Sequence, residues 1–233
     1  MSWREGLAEA DPDFLAHADR FAGHPWRQGV LEPKVKAFML LAVDAAATHR
    51  NAAGVCEDIE LALRHGANPQ EIVEVLELTS TLGIHACNCG VPILLEELEA
   101  AGQGVDLDAP LTPRQEEIKA LFTEKRGYWN DFWNGLLHLD PEFFAAYTAF
   151  SANAWETGTL EPKVRELVYT AFDASATHMF EPGLRQHIRN AIAYGATKEE
   201  IMEVFELASG AGLGAFALGA PALREALAER QPT

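Results

Sequence analysis

Apolar residues in the second half of the chain recur at helical spacing. Val164, Leu167, Val168, Ala171 and Phe172 share one face of a 3.6-residue period, and Leu184, Ile188, Ala191 and Ile192 share another. Helix-end signals punctuate these stripes. Asp140-Pro141 sets an N-cap before a proline at the first helical position and predicts a helix to about Asn153. The Val164 helix starts near Pro162 and ends near Thr177. A loop holding Pro182-Gly183 then leads to the Leu184 helix, which Gly195 closes. Thr197 with Glu200 forms a capping box for a fourth helix. The stretch from Gly210 to Gly219 predicts a break before a short last helix around Pro221 to Ala228.

The same punctuation occurs earlier in the chain, shifted by 129 residues. Leu31-Glu32-Pro33-Lys34-Val35 recurs as Leu160-Glu161-Pro162-Lys163-Val164. The shift also maps Asp11-Pro12 onto Asp140-Pro141, Trp26 onto Trp155, Thr48-His49 onto Thr177-His178, and Asn68-Pro69 with Glu71 onto the Thr197–Glu200 cap. Between Asp11 and Leu98, 37 of 88 aligned positions are identical, against about 5–6 expected by chance. The fold class is therefore all-α, two tandem copies of one helical domain. The expected domains are residues 1–104 and residues 105–233, the second preceded by a linker helix. Gly102 to Pro110 reads as a linker, and Thr112-Pro113 with Gln115 caps a helix towards Tyr128. Tyr128, Trp129, Phe132 and Trp133 read as packing material for the domain interface.

Charge narrows the partners. The chain carries 18 Lys plus Arg against 35 Asp plus Glu, a formal net charge of −17. Such a surface repels nucleic-acid phosphates and anionic lipid. No run of about 18 apolar residues suggests a membrane span, and Met1-Ser2-Trp3-Arg4-Glu5 does not open a signal peptide. Three cysteines, Cys56, Cys87 and Cys89, suit a reducing cytoplasm better than a disulfide framework.

Candidate chemistry concentrates in the second copy. His187 falls on the apolar face of its helix, where burial suits either a core histidine or a neutral imidazole able to take a proton. The aligned position in the first copy holds Asp58, a carboxylate that needs a partner or a proton. His49 and His178 end equivalent helices, either as C-terminal charges or as site residues. Asp44 and Asp173 sit inside those helices, where Asp is a poor helix former and points to a specific partner. Glu166 reads as an ion-paired helix residue or a third catalytic group. Arg185 and Arg189 place positive charge on the His187 helix, with Glu181 at pairing distance from Arg185. His85 lies near Cys87 and Cys89, but Cys-x-Cys is neither the usual zinc nor the usual redox spacing.

The run Leu184-Arg185-Gln186-His187-Ile188-Arg189-Asn190-Ala191, then Gly195-Ala196-Thr197-Lys198-Glu199-Glu200-Ile201, resembles the carboxymuconolactone decarboxylase family, as do Gly219-Ala220-Pro221 and Gly90-Val91-Pro92. That family includes the γ-carboxymuconolactone decarboxylases and the alkylhydroperoxidase D-type peroxidases. The resemblance covers roughly two-thirds of each copy. It implies an alkylhydroperoxidase D-like helical fold, assembly into trimers or hexamers, and His187 as the catalytic position; a homo-oligomer, dimer, trimer or hexamer, is expected. The peroxidase branch needs Cys-x-x-Cys just before that histidine, and this chain has no cysteine there.

The expected activity is a cofactor-independent lyase on a small carboxylated substrate. His187 would act as general acid–base, with His178 and Glu166 assisting. Arg185, Arg189, His49 and His85 would contact substrate. No metal is expected. The alternative is a metal- or small-molecule-binding module built from His49, His85, His178 and His187.

Overall fold

A computed structural model of the chain describes residues 3–228. The first copy supplies α1 (Trp3–Ala10), α2 (Pro12–Ala22), α3 (His24–Gln28), α4 (Pro33–Ala45), α5 (Ala52–Arg64), α6 (Pro69–Ser80) and α7 (His85–Ala100). The linker helix is α8 (Pro113–Arg126). After it come α9 (Trp133–Leu139), α10 (Pro141–Thr157), α11 (Pro162–Ala174), α12 (Glu181–Ala193), α13 (Lys198–Ser209) and α14 (Gly214–Ala228). Short 3-10 turns, Thr81–Ile84 and Gly210–Leu213, lead into α7 and α14.

The capping signals form as read. Asp140 accepts from Phe143 N and Asp11 from Phe14 N. Asn68 with Glu71, Thr112 with Gln115, and Thr197 with Glu200 each close a reciprocal capping box. Two boundaries differ. The helix α12 starts at Glu181, so Pro182 and Gly183 lie in its first turn rather than in a loop. A proline costs nothing there, because its missing N–H has no intrahelical acceptor. The glycine-rich stretch is not a break. It winds as a 3-10 turn and continues as α14, with Pro221 inside the helix. Glycine disfavours helix by only about 1 kcal/mol per residue, which tertiary context overrides.

The compact units do not follow the two sequence copies. One unit gathers residues 1–67 and 163–233, the other residues 68–162. Each therefore mixes helices from residues 1–104 with helices from residues 105–233. In the first unit α13 packs against α2, α3 and α4. Buried Glu203 on α13 accepts from Val30 N at 2.6 Å and Leu31 N at 2.8 Å. Its other oxygen lies 2.9 Å from Lys36 Nζ, which also donates to the Pro25 carbonyl. In the second unit Glu74 on α6 accepts from Thr159 N at 2.6 Å and Leu160 N at 3.0 Å. The two glutamates are 129 residues apart, as are the glycines they press against. A Cβ on Gly29 would run into Glu203, and one on Gly158 into Glu74.

The aromatic run expected at a domain interface lies in the core of the second unit, where residues of both copies meet: Ile84 is buried in the same cluster, and Cys87 and Val91 pack against it. Trp133 is buried with Ile118, Phe122, Leu136, Leu137 and Phe144, and Tyr128, Trp129 and Phe132 pack against that cluster. Two continuous helical stretches, Pro69–Ala100 and Lys198–Leu227, are long and apolar enough by composition to cross a bilayer. Each buries its opening face in its own unit, Val75 and Leu78 in one and Val204 and Leu207 in the other.

Candidate functional site

The site is built where α11 turns into α12, inside the first unit. Asp173 lies at the end of α11, and its carbonyl accepts from Phe180 N at 3.0 Å. His178 N and Met179 N both donate to the Ser175 carbonyl. Closing this turn puts Met179 in the left-handed region at φ 54°. A side chain pays about 1–2 kcal/mol there, which the surrounding hydrogen bonds sustain. The first copy repeats the device. Asn51 N donates to the Asp44 carbonyl, His49 N and Arg50 N donate to that of Ala46, and Arg50 has φ 52°.

Glu166 and Tyr169 on α11 face Gln186, His187 and Asn190 on α12. Glu166 is 1% exposed and His187 8%, so this is an interior polar cluster rather than a surface pair. Nδ1 of His187 lies 2.7 Å from Glu166 Oε2. The second glutamate oxygen accepts from Asn190 Nδ2 at 3.2 Å. The Asn190 carbonyl oxygen accepts from Gln186 Nε2 at 2.8 Å. The Tyr169 ring stacks on the imidazole, with centroids 4.3 Å apart and planes 20° apart. The spacing explains the convergence. Positions 166, 169 and 173 share one face of α11, and 186, 187 and 190 one face of α12.

Asp173, fully buried, is the next group along this face. Burial pushes its carboxyl up to about 7, with Glu166 adding to the rise and His187 opposing it. Asp173 Oδ1 lies 3.7 Å from His178 Nε2, an ion-pair rather than a hydrogen-bond distance. Burial lowers the His178 pKa, which disfavours the cationic helix-end role. Gly183 makes room for the aspartate, since a Cβ there would collide with Asp173 Oδ2. A site that holds a carboxyl group near neutrality beside imidazoles can store and release protons near pH 7.

The first copy holds different chemistry in the same frame. Asp58 is buried, and its carboxyl is pushed up to about 8, first by burial and then by the charge of Asp44, to which it is hydrogen-bonded. Asp44 accepts from Asn51 Nδ2 at 3.1 Å and lies 3.3 Å from His49 Nε2. Gly54 gives Asp44 the same clearance that Gly183 gives Asp173.

Of the remaining expected site residues, the two arginines lie elsewhere. Arg185 and Arg189 are exposed on the side of α12 opposite His187. Arg185 is paired with Glu181, the pairing that its i,i+4 spacing also offered. His85 opens α7, half-buried, in the second unit, whereas His49, His178 and His187 belong to the first. Sequence reading passed over Tyr169, Gln186 and Asn190. Their signal was present as polar residues at three- and four-residue spacing from Glu166 and His187, on faces otherwise apolar.

Comparison with known proteins places this geometry. The family model described as the carboxymuconolactone decarboxylase family matches residues 141–229. A crystal structure from Burkholderia xenovorans LB400, provisionally named a gamma-carboxymuconolactone decarboxylase subunit, is 49% identical, with a TM-score of 0.96. The alignment covers 99% of this chain and 92% of that one. No curated protein matches. At this identity over 99% of the chain, and with all-α architecture among the described residues, the chain belongs to the carboxymuconolactone decarboxylase family.

Proposed function

We propose that the chain is a cofactor-independent carboxy-lyase acting on a small carboxylated substrate, with His187 as general acid–base. The observation that carries this reading is the buried 2.7 Å contact between His187 Nδ1 and Glu166 Oε2. An ionised carboxylate only accepts, so Nδ1 holds a proton and donates it. Nε2 is then the nitrogen that exchanges a proton with substrate, and Glu166 stabilises the imidazolium that results. In a decarboxylation the bond from carbon to carboxylate breaks and carbon dioxide leaves. The electron pair moves into the conjugated remainder, and an imidazolium that has taken a proton from solvent at Nε2 delivers it to the carbon that has gained charge, returning His187 to its Nδ1–H form. The name given to the Burkholderia structure points to a carboxylated lactone as the first substrate to try. A thiol peroxidase reading finds no support, since Cys56, Cys87 and Cys89 all precede His187 by about a hundred residues or more.

The test is carbon dioxide release from gamma-carboxymuconolactone by the purified chain. His187→Ala should lower kcat by about 10²–10⁴ and leave the helical circular dichroism unchanged. Full turnover in that variant, or no release by the unmodified protein from any carboxylated lactone, would refute the reading.

We also propose self-association as the partner of α14. Leu218, Leu223 and Leu227 on this helix are 79%, 62% and 55% exposed. With α1 the helix borders an apolar groove of about 600 Å³. Exposed apolar patches of this kind mark association surfaces. Light scattering at the monomer mass would refute this.

A further inference from the structure

We infer that Asn190 and Gln186 are positioning residues that hold Glu166, and through it the tautomer of His187. The inference rests on the acid–base reading above, and its test is read without turnover.

The argument is one of donor and acceptor roles. Glu166 has two oxygens in a site where water barely reaches. One meets His187 Nδ1 and the other Asn190 Nδ2. A carboxylate takes only the N–H end of an amide. Gln186 supports that orientation, since its Nε2 donates to Asn190 Oδ1 at 2.8 Å and leaves Asn190 Nδ2 turned towards Glu166. Both glutamate oxygens thus receive a donor. Glu166 accepts on both sides, which leaves the proton of that contact on Nδ1 of His187. The Tyr169 stack holds the ring in plane for that contact. The order of action is Gln186, Asn190, Glu166, His187. The first two touch no reacting atom in this reading.

The first copy shows that the frame does not need this chain of groups. Ala37, Leu40, Glu57, Asp58 and Leu61 stand where the second copy has Glu166, Tyr169, Gln186, His187 and Asn190. Where the imidazole is absent, the carboxylate and the amide that would hold it are absent as well. Yet α4 and α5 still pack together and keep the same turn. A purely structural role for Asn190 is therefore not required by the α11–α12 scaffold.

Asn190→Leu installs the first-copy residue and removes the donor. Glu166 Oε1 then lacks a donor, and the preference for Nδ1–H weakens. The readout is the ¹⁵N imidazole spectrum of histidine-labelled full-length protein, with His187 assigned by its loss in His187→Gln. The unmodified protein should show His187 protonated at Nδ1. Asn190→Leu should move its shifts towards the Nε2–H form. With a turned-over lactone, kcat should fall about ten- to a hundredfold, with KM within about twofold and the pH profile displaced. Gln186→Leu should act in the same direction and less. Unchanged imidazole shifts in both variants would overturn the assignment. If Asn190→Leu does not fold, Gln186→Leu decides by the same spectrum. Displaced shifts in a protein that releases no carbon dioxide from any carboxylated lactone would remove the lyase reading and leave this assignment standing.

Discussion

The turn from α4 to α5 and the turn from α11 to α12 are the same piece of backbone with different chemistry in it. Both close on an aspartate whose backbone carbonyl accepts an N–H from beyond the turn, Asp44 or Asp173, and both hold a side-chain-bearing residue at positive φ. Both set a glycine against the aspartate. What differs is the group that faces it. In the second copy an imidazole with its own carboxylate occupies that position, so opposite charges can coexist. In the first copy a second carboxyl does, and the pair lowers its energy by keeping a proton on Asp58. A scaffold that tolerates either arrangement is set by packing and capping. The chemistry is an addition to it, carried by two side chains on α11 and three on α12 that the first copy replaces.

The largest effect that would sharpen this comparison is on turnover. His187→Ala should cost about 10²–10⁴ in kcat, while Asp58→Ala should leave kcat within about twofold. Equal losses in the two variants would break the contrast and make the first copy a working centre.

The next effect is on stability, and it concerns what the copies share. Glu203→Ala leaves Lys36 buried without its carboxylate and strips Val30 N and Leu31 N of their acceptor. The expected loss is about 3–5 kcal/mol in urea unfolding. A loss under about 1 kcal/mol would mean that the exchanged glutamates are incidental to how each unit is held.

The pH dependence separates the copies again. The folded pKa of Asp58 is about 8, raised from 3.8. A raised folded pKa contributes stability fully below the unfolded value, and this contribution is lost as pH rises through the folded one. Stability should therefore decline between about pH 4 and pH 8, with Asp173 at about 7 declining in the same window. Asp58→Asn should flatten this decline and stabilise the protein at pH 8.5 by about 2 kcal/mol or more. An unchanged slope would show that Asp58 gives up its proton without cost.

The sequence made the scaffold legible because caps, prolines and apolar stripes are local signals. Asp140-Pro141 and Thr197 with Glu200 mark helix starts whatever the rest of the chain does. His187 was legible for a similar reason, as a polar residue on an apolar face. Two kinds of feature were not. Pairing of Glu203 with the Val30–Leu31 backbone joins positions some 170 residues apart, and no period along the chain carries that. The mixing of both copies in each compact unit follows from such contacts. Glu166 was ambiguous because its partners lie on the next helix, and a glutamate in a helix is ordinary until its face is known to be buried.

The smallest expected effect tests the one sequence expectation that the two faces of α12 decide. Arg185 and His187 are two residues apart, so they point to opposite sides of the helix. Arg185 is 67% exposed at its side chain and Glu181, its partner, 76%. An exposed pair of this kind contributes under about 1 kcal/mol. Arg185→Ala should accordingly change neither the urea midpoint nor KM for a carboxylated lactone by a resolvable amount. If Arg185 instead held the substrate carboxylate, removing a charge-assisted bond would raise KM or lower kcat/KM about tenfold or more. That result would place the substrate on the solvent side of α12, away from the buried Glu166–His187 pair, and the contrast between the two copies would then lie in their surfaces rather than in their turns.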